Sequence, residues 1–197
     1  MGTRFGLKKG VVSLAVLLTL CSIPGMARDK YETIDATAWG TSTQLGQNIG
    51  ITVEIYDFST ANDRQILVQA YQKGQNQGLA NALSKMKSVG HISIQGTLGY
   101  DLSYIKVIPT STGRKIRLIT NRPITFAEGW ADTQSQNFNL TAAEFDINDT
   151  DKSKSTGTLY PAAQLVLNKD GDLQWDLNQN PWRLGDIIDW KGTPGLN

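Results

Sequence analysis

The sequence predicts an α+β fold: an antiparallel sheet of about seven or eight strands, barrel-like or in two layers, with an inserted helical hairpin. Three observations predict this fold. Most segments alternate between apolar and polar residues, as half-buried strands do. Short turn sequences rather than crossover helices join consecutive strands, which favours antiparallel pairing. Only the stretch between residues 60 and 90 changes to helical spacing.

Two strands are predicted before the helical stretch, at residues 31–42 and 50–58. In the second, Ile51, Val53 and Ile55 fall on one face and polar residues fall on the other. Strict alternation of this kind is typical of a strand that buries one face.

The helical stretch is predicted to begin at Thr60, because a hydroxyl followed three residues later by Asp63 is typical of a helix N-terminus. Two helices are expected, joined by the polar link Gln75-Asn76-Gln77-Gly78. Gly90 closes the second helix, since glycine suits the left-handed position after a helix. Together they predict the helical hairpin.

The rest of the chain is predicted to be rich in strands. These strands are residues 91–95, 100–108, 115–120, 124–130, 138–147, 159–167 and 173–177. Asp170-Gly171, between the last two, is a strong signal for a two-residue hairpin turn. The apolar tail from Pro181 is predicted to be a short helix or turn that covers one end of the core.

The N-terminal segment, residues 1–27, is predicted to be a secretory signal peptide. Three basic residues precede an apolar run of about 14 residues, which is shorter than the roughly 20 residues that span a bilayer. Gly25 and Ala27 place small side chains at the positions that a signal peptidase recognises. We therefore expect export to the periplasm or the medium and a single mature domain, residues 28–197.

The composition of the mature chain excludes several classes of function. The signal carries three of the 19 basic residues and none of the 18 acidic residues, so the mature net charge is −2 with His91 neutral. This balance provides no basic footprint for nucleic acid and no polybasic strip for an anionic membrane. We therefore expect no nucleic-acid partner, and no stable membrane insertion after signal cleavage.

The single cysteine, Cys21, lies within the predicted signal. Its removal excludes disulfides and thiolate metal sites from the mature chain. Lipidation of Cys21 is the alternative, but the preceding Leu20 is larger than the small residue that this processing requires.

Candidate catalytic groups are few. His91 is the only histidine, so it alone could be the general base of a Ser-His-Asp or Cys-His catalytic site. No G-x-S-x-G sequence surrounds a serine. A pair of carboxylates would suit glycoside hydrolysis. Four acids could supply the pair: Asp101, Glu128, Asp132 and Glu144. Since acids are common on the solvent face of antiparallel strands, a structural role is favoured for these residues and for His91.

Two acidic segments, residues 146–151 and 168–172, carry oxygen ligands at a spacing that can hold calcium. The first lacks the glycine and the closing glutamate of a calcium loop, and the hairpin turn explains Asp170-Gly171 in the second. A zinc site lacks histidine and cysteine partners. We therefore expect no metal and no cofactor.

Basic residues gather around one predicted hairpin. Arg114 and Lys115 flank its turn and are expected to be exposed, whereas Arg117 alternates with apolar residues and falls on the polar face. Farther on, Arg122 and Glu128 bracket a short apolar strand. They either form an ion pair that fixes the start of the strand or present an arginine to an anionic ligand.

The segment Asn121-Arg-Pro-Ile-Thr-Phe-Ala-Glu128 is the most specific in the chain. With Gly96-Thr-Leu-Gly-Tyr-Asp101 and the helical stretch that runs into Val89-Gly90-His91-Ile92, it resembles a group of small exported bacterial proteins of uncharacterised function. The resemblance covers roughly residues 57–167. It implies export and a shared fold, and it transfers no catalytic residue.

Three functions remain open at this stage. The first is a non-catalytic module that binds a small molecule or an envelope protein, with a pocket at one end of the sheet lined by Arg122, Glu128, Trp130 and Tyr104. The second is a hydrolase with two converging carboxylates, at least one of them with a raised pKa. The third is a structural envelope protein that self-associates through an exposed strand edge.

The predicted signal gives the first testable expectation. Export should be accompanied by cleavage after Ala27, because the small side chains before this bond suit a signal peptidase. N-terminal sequencing of the protein from the export fraction should therefore begin at Arg28. A chain that still begins at Met1 in that fraction would contradict the expectation.

Overall fold

The computed structural model describes Gly2 and residues 31–41, 45–120, 122, 140–169, 171, 173–175 and 181–191. The predicted signal, apart from Gly2, and the predicted strand at residues 124–130 lie outside these ranges. The described strands are β1 Glu32–Trp39, β2 Asn48–Ile55, β3 Gly90–Ile94, β4 Tyr100–Pro109, β5 Gly113–Thr120, β6 Leu140–Asn148, β7 Thr156–Ala163, β8 Leu165–Leu167, β9 Leu173–Trp175 and β10 Trp182–Asp189, and helix α1 is Ala61–Leu83.

Eight of the described strands close into an antiparallel barrel in the order β1-β10-β7-β6-β5-β4-β3-β2, with β2 again beside β1. The strands β8 and β9 form a separate two-stranded sheet. The predicted antiparallel, barrel-like sheet in an α+β fold is therefore confirmed. Short turns between neighbours, such as the one between β4 and β5, produce this arrangement because they leave no length for a crossover.

The prediction for the tail is wrong, because the chain after Pro181 forms the barrel strand β10 rather than a helix or turn. The pairing of β10 with β1 shifts register between Asp35 and Thr37, so β10 carries an extra residue there. Leu184 and Ile187, three residues apart, consequently both face the core. This β-bulge interrupts the period of two and gives the sequence a helix-like spacing.

The interior of the barrel is filled with side chains. Alternate residues of each barrel strand point inward, as the period of a strand requires. The inward set includes Ile34, Val53, Ile92, Leu118, Phe145 and Trp182, which are all at most 1% exposed. The barrel therefore has a packed core, and any ligand site must lie at its rim or on its outer face.

A second apolar cluster lies between the outer face of the barrel and helix α1. Leu67, Leu79 and Leu83 of the helix are fully buried against outward-facing residues of β4 to β8. The helix begins as predicted, because the Thr60 hydroxyl accepts from the Asp63 amide and the Asp63 carboxylate accepts from the Thr60 amide.

The inserted helical hairpin is not shown, since this part of the described chain forms one α-helix, Ala61–Leu83, instead of two. The backbone leaves helical geometry at Gly74 and Gln75, and this bend brings Gly78 against the carbonyl group of Ala70. Asn76, which belongs to the predicted polar link, is buried, and its side-chain oxygen accepts from the Leu165 amide at 3.0 Å. None of the described helical residues form a segment long and apolar enough to cross a bilayer.

The bend predicts that alanine substitutions at Gly78 and Gly74 have different effects on stability. A Cβ at Gly78 would collide with the Ala70 carbonyl oxygen, whereas a Cβ at Gly74 would meet no atom within 4 Å. Gly78→Ala should therefore lower the free energy of unfolding by about 1–3 kcal/mol. Gly74→Ala should change it by less than about 1 kcal/mol. Urea titrations of both variants test this, and equal effects would contradict it.

Candidate functional site

The candidate site begins on the outer face of β4 and β5. After a register shift between Leu102 and Tyr104, the side chains of Tyr104, Lys106 and Ile108 point outward from β4. In the neighbouring strand, Ile119 lies opposite Tyr104, and Arg117 lies opposite Lys106. This face therefore combines an apolar half with a basic half.

The first wall of the site comes from the residues that lead into α1. Strand β3 pairs with β4 only as far as Leu102, so the second half of β4 has a different neighbour. Ser59 takes that place: its amide donates to the Ile105 carbonyl at 2.8 Å, and its hydroxyl accepts from the Ile105 amide at 3.0 Å. Helix α1 consequently starts beside β4 and places Arg64 over the groove.

The opposite wall is the β8–β9 hairpin. The Asn76 bond to Leu165 holds this hairpin against the bend of the helix. At the other end of the hairpin, the Arg64 guanidinium donates to the carbonyl of Gly171 in the turn, at 3.4 Å. Gly171 has a φ of +72°, which glycine adopts without strain. Two contacts from α1 thus position the hairpin.

Together these elements enclose a cavity of about 360 Å³, which we call the outer groove. Its apolar lining includes Tyr104, Ile119, Leu165 and Leu173, and its charged lining is Arg64, Lys106 and Arg117. A wider cavity of about 600 Å³ adjoins it, shares Arg64, Tyr104 and Lys106, and extends towards Tyr31 and Arg114 at the barrel rim. Both volumes fall in the range of small-molecule sites.

Ion pairs on the outer face hold the Glu144 carboxylate beside the groove. Arg117 Nε lies 2.6 Å from Glu144 Oε2, and Lys115 Nζ lies 3.1 Å from Glu144 Oε1. Burial raises the pKa of Glu144, but the hydrogen bonds from Arg117 and Lys115 outweigh burial and hold this pKa below the ordinary value of 4.5. Glu144 is therefore a fixed anion rather than a proton donor.

A second charged cluster lies inside the barrel at its rim. Arg114 donates to Glu32 Oε1 at 2.7 Å and also to the carboxylate of Asp189. The expectation that Arg114 is exposed is wrong, since it is 8% exposed. Arg114 continues the inward register of Ile116 and Leu118, so its guanidinium reaches across the barrel to β1 and β10.

The environment of Glu32 disfavours its charged form. Burial and the negative charge of Asp189 raise the pKa of Glu32 to about 7, against the opposing effect of Arg114 and Lys191. Among the described residues, Glu32 Oε2 has no hydrogen-bond partner. The cluster thus takes up a proton near neutral pH.

The four residues predicted to line a pocket are not placed together by the described structure. Tyr104 lies in the outer groove and is 7% exposed. Arg122 is exposed and stacks over the ring of Tyr100, with Cζ 5.1 Å from the ring centroid, and it does not line the groove. Glu128 and Trp130 lie outside the described residues.

His91 has a structural role in the described residues. Its Nε2 lies 2.9 Å from the carbonyl of Leu98, so this nitrogen carries the proton and donates. Its Nδ1 is 3.6 Å from Asp101, whereas Ser88 bonds to Asp101 and Gly90 rather than to the imidazole. The three side chains therefore do not form a nucleophile–base–acid relay.

The first acidic segment forms a turn. Asn148 Oδ1 accepts from the amides of Thr150 and Asp151, and the Asp151 carboxylate accepts from Ser153 at the start of a short 3-10 helix, Lys152–Lys154. These bonds occupy Asn148 Oδ1 and Asp151 Oδ1, two of the oxygens of the segment. Within the described ranges, no group of three or more histidine, cysteine, aspartate or glutamate side chains could hold a metal ion. Asp170 and Asp172 of the second segment lie outside them.

Sequence reasoning missed most of the groove. It placed Arg117 on a polar face but gave no role to Arg64, Lys106 or Leu165, which come together only through the packing of α1 and the β8–β9 hairpin. For the buried Arg114, a signal was present: its alternation with Ile116 and Leu118 indicates an inward side chain.

The rim cluster predicts an unusual pH dependence of stability. The pKa of Glu32 is raised in the folded state, so folding takes up a proton between about pH 4.5 and about pH 7. The stabilisation is complete below the unfolded pKa and is lost as the pH rises through about 7. Stability should therefore increase from about pH 8 to about pH 5.5, and Glu32→Gln should remove this increase.

Urea midpoints measured across this range test the prediction. Glu144, whose pKa is lowered, loses its contribution only as the pH falls below its ordinary value of 4.5, outside the window. Asp189→Asn removes a negative charge beside Glu32, so the loss of stability should move to lower pH. The same dependence of the urea midpoint on pH in the unchanged protein, Glu32→Gln and Asp189→Asn would contradict the raised pKa of Glu32.

Comparison of the chain with protein-family models, curated proteins and solved structures finds no match.

Proposed function

We propose that the protein is an exported, non-catalytic module that binds a small ligand in the outer groove. The observation that carries this proposal is an amphipathic cavity of about 360 Å³ on the outside of a filled barrel. The outer groove lies on the outer face of the barrel, whereas the sequence predicted a pocket at one end of the sheet. The export part rests on the signal-like residues 1–27 and on the resemblance to small exported bacterial proteins.

The lining of the groove supports binding of a ligand with an apolar body. Tyr104, Ile119 and Leu165 form a continuous apolar surface, and each is less than 10% exposed. The described cationic side chains of the lining are Arg64, Lys106 and Arg117. Largely apolar pockets with a few placed polar groups are the usual sites of small molecules.

The two predicted candidate acids that the structure describes, Asp101 and Glu144, give no support to a carboxylate hydrolase. Asp101 is exposed at the start of β4 and lies beside His91. Glu144 lies on β6, opposite Arg117 of β5, and its pKa is lowered rather than raised. These two acids therefore do not form an acid–nucleophile pair.

Self-association through a strand edge has less support than ligand binding. Closure gives each of the eight barrel strands a strand neighbour on both sides. Only the short β8–β9 sheet has outer edges without a strand among the described residues, and three-residue strands offer few bonds to a second chain.

A fluorescence titration tests the proposal. The neutral apolar dye N-phenyl-1-naphthylamine should bind the purified protein saturably, because the apolar floor of the groove can exclude water from it. Ile108→Gln should weaken this binding about tenfold, since it removes an apolar side chain from the lining.

Ile188→Gln is the matched control. Ile188 is also an isoleucine on a barrel strand, but it is 48% exposed on β10 and does not line the groove. Thermal midpoints of both variants should stay close to that of the unchanged protein. Absence of saturable dye binding, or an equal loss in the two variants, would overturn the proposal.

A further inference from the structure

Among the described residues, the charged lining of the outer groove has a single sign. Arg64, Lys106 and Arg117 line the groove, and Arg114 and Lys191 line the adjoining cavity. Of the described residues that line either cavity, none is an aspartate or glutamate. A concave surface with one sign of charge over low-dielectric walls concentrates the field and favours an anion.

The pairing of the strands shows where the excess charge lies. Lys106 is directly opposite Arg117, and like charges in this arrangement repel each other. Glu144 and Asp146 lie on the far side of β5 and form ion pairs with Arg117 and Lys115. In the described part of the chain, no carboxylate forms an ion pair with Lys106. Among the described residues, the positive charge of Lys106 therefore remains without a counter-charge at the groove.

The place of Lys106 argues against a simple solvated surface lysine. Its side chain is half-buried, and it lines both cavities beside Tyr104. Arg64 is held above the same groove by its bond to Gly171. An anion bound here would be partly shielded from water, which strengthens its attraction to Lys106.

The apolar lining lies next to these cations. Tyr104 and Ile119 form one cross-strand pair, and Lys106 and Arg117 form the next outward-facing pair along the same two strands. Neighbouring outward pairs are about 7 Å apart. A molecule with an anionic head and a short apolar body therefore matches the groove, because its two parts follow each other as the cationic pair and the apolar pair do along the two strands.

We propose that the ligand of the outer groove is a small amphiphile with an anionic head, a carboxylate or a phosphate. The inference rests on the proposed binding function. The head lies between Lys106 and Arg117, and the apolar body lies along Tyr104, Ile119 and Leu165. Glu144 keeps Arg117 in place and leaves Lys106 as the main counter-charge of the head.

Displacement of the neutral dye by matched ligands tests the inference. Decanoate and decyl phosphate should displace N-phenyl-1-naphthylamine about tenfold more strongly than decanol, which has the same apolar chain and no charge. Raising the salt concentration should weaken the two anions and leave decanol unchanged, because only the charged heads are screened. The ratio of the affinities of decanoate and decyl phosphate shows whether the groove prefers a carboxylate head or a phosphate head.

Variants assign the effect to the groove. Lys106→Met should reduce the affinity for the better anion to that for decanol, with the dye affinity of each variant measured first and used to correct its displacement curves. Lys87→Met, which removes an exposed lysine outside the groove, should leave the anion affinity well above that for decanol.

The outcomes separate the two proposals. If the dye binds but decanol competes as well as both anions, the inference is wrong and the binding function stands. An equal response of both anions to Lys106→Met and Lys87→Met would also overturn it. If the dye does not bind at all, the binding function and the inference both fail.

Discussion

The pairing of β10 with β1 and β7 is the interaction on which the rest of the structure depends. It joins the end of the described chain to its beginning and closes the sheet, so every barrel strand has a strand neighbour on both sides. Closure requires the bulge in β10, because only the extra residue allows both Leu184 and Ile187 to face inward. Trp182, brought in by the same strand, then completes the core.

Closure also determines where a ligand can bind. An eight-stranded barrel is just wide enough for side chains to fill it, and here they do. The outer groove therefore lies on the outer face, where helix α1 and the β8–β9 hairpin lie over β4 and β5. The short pairing of β3 with β4 matters as well, because it lets Ser59 bond to β4 and start the helix beside the groove.

The two charged clusters on β5 differ because its side chains alternate between the two faces. Arg114 points inward and is neutralised by two carboxylates in a buried setting, where an unpaired charge would be costly. Arg117 points outward, and its pairing with Glu144 leaves the neighbouring Lys106 without a counter-charge among the described residues. The inner cluster links opposite walls of the barrel, and the outer cluster leaves the groove with a positive charge among the described residues.

The sequence by itself determined the features that depend on near neighbours. The alternation of Ile51, Val53 and Ile55 predicted an inward strand face, and Thr60 with Asp63 predicted the start of the helix. Tertiary structure decided the rest. The bulge in β10 appears only when it pairs with β1. The partners of Arg114 are 82 and 75 residues away, and the groove joins helix α1, the β4–β5 hairpin and the β8–β9 hairpin, which are distant in sequence. Local patterns record which face of a strand is buried, whereas strand order and register, which bring distant side chains together, arise only when the whole sheet closes.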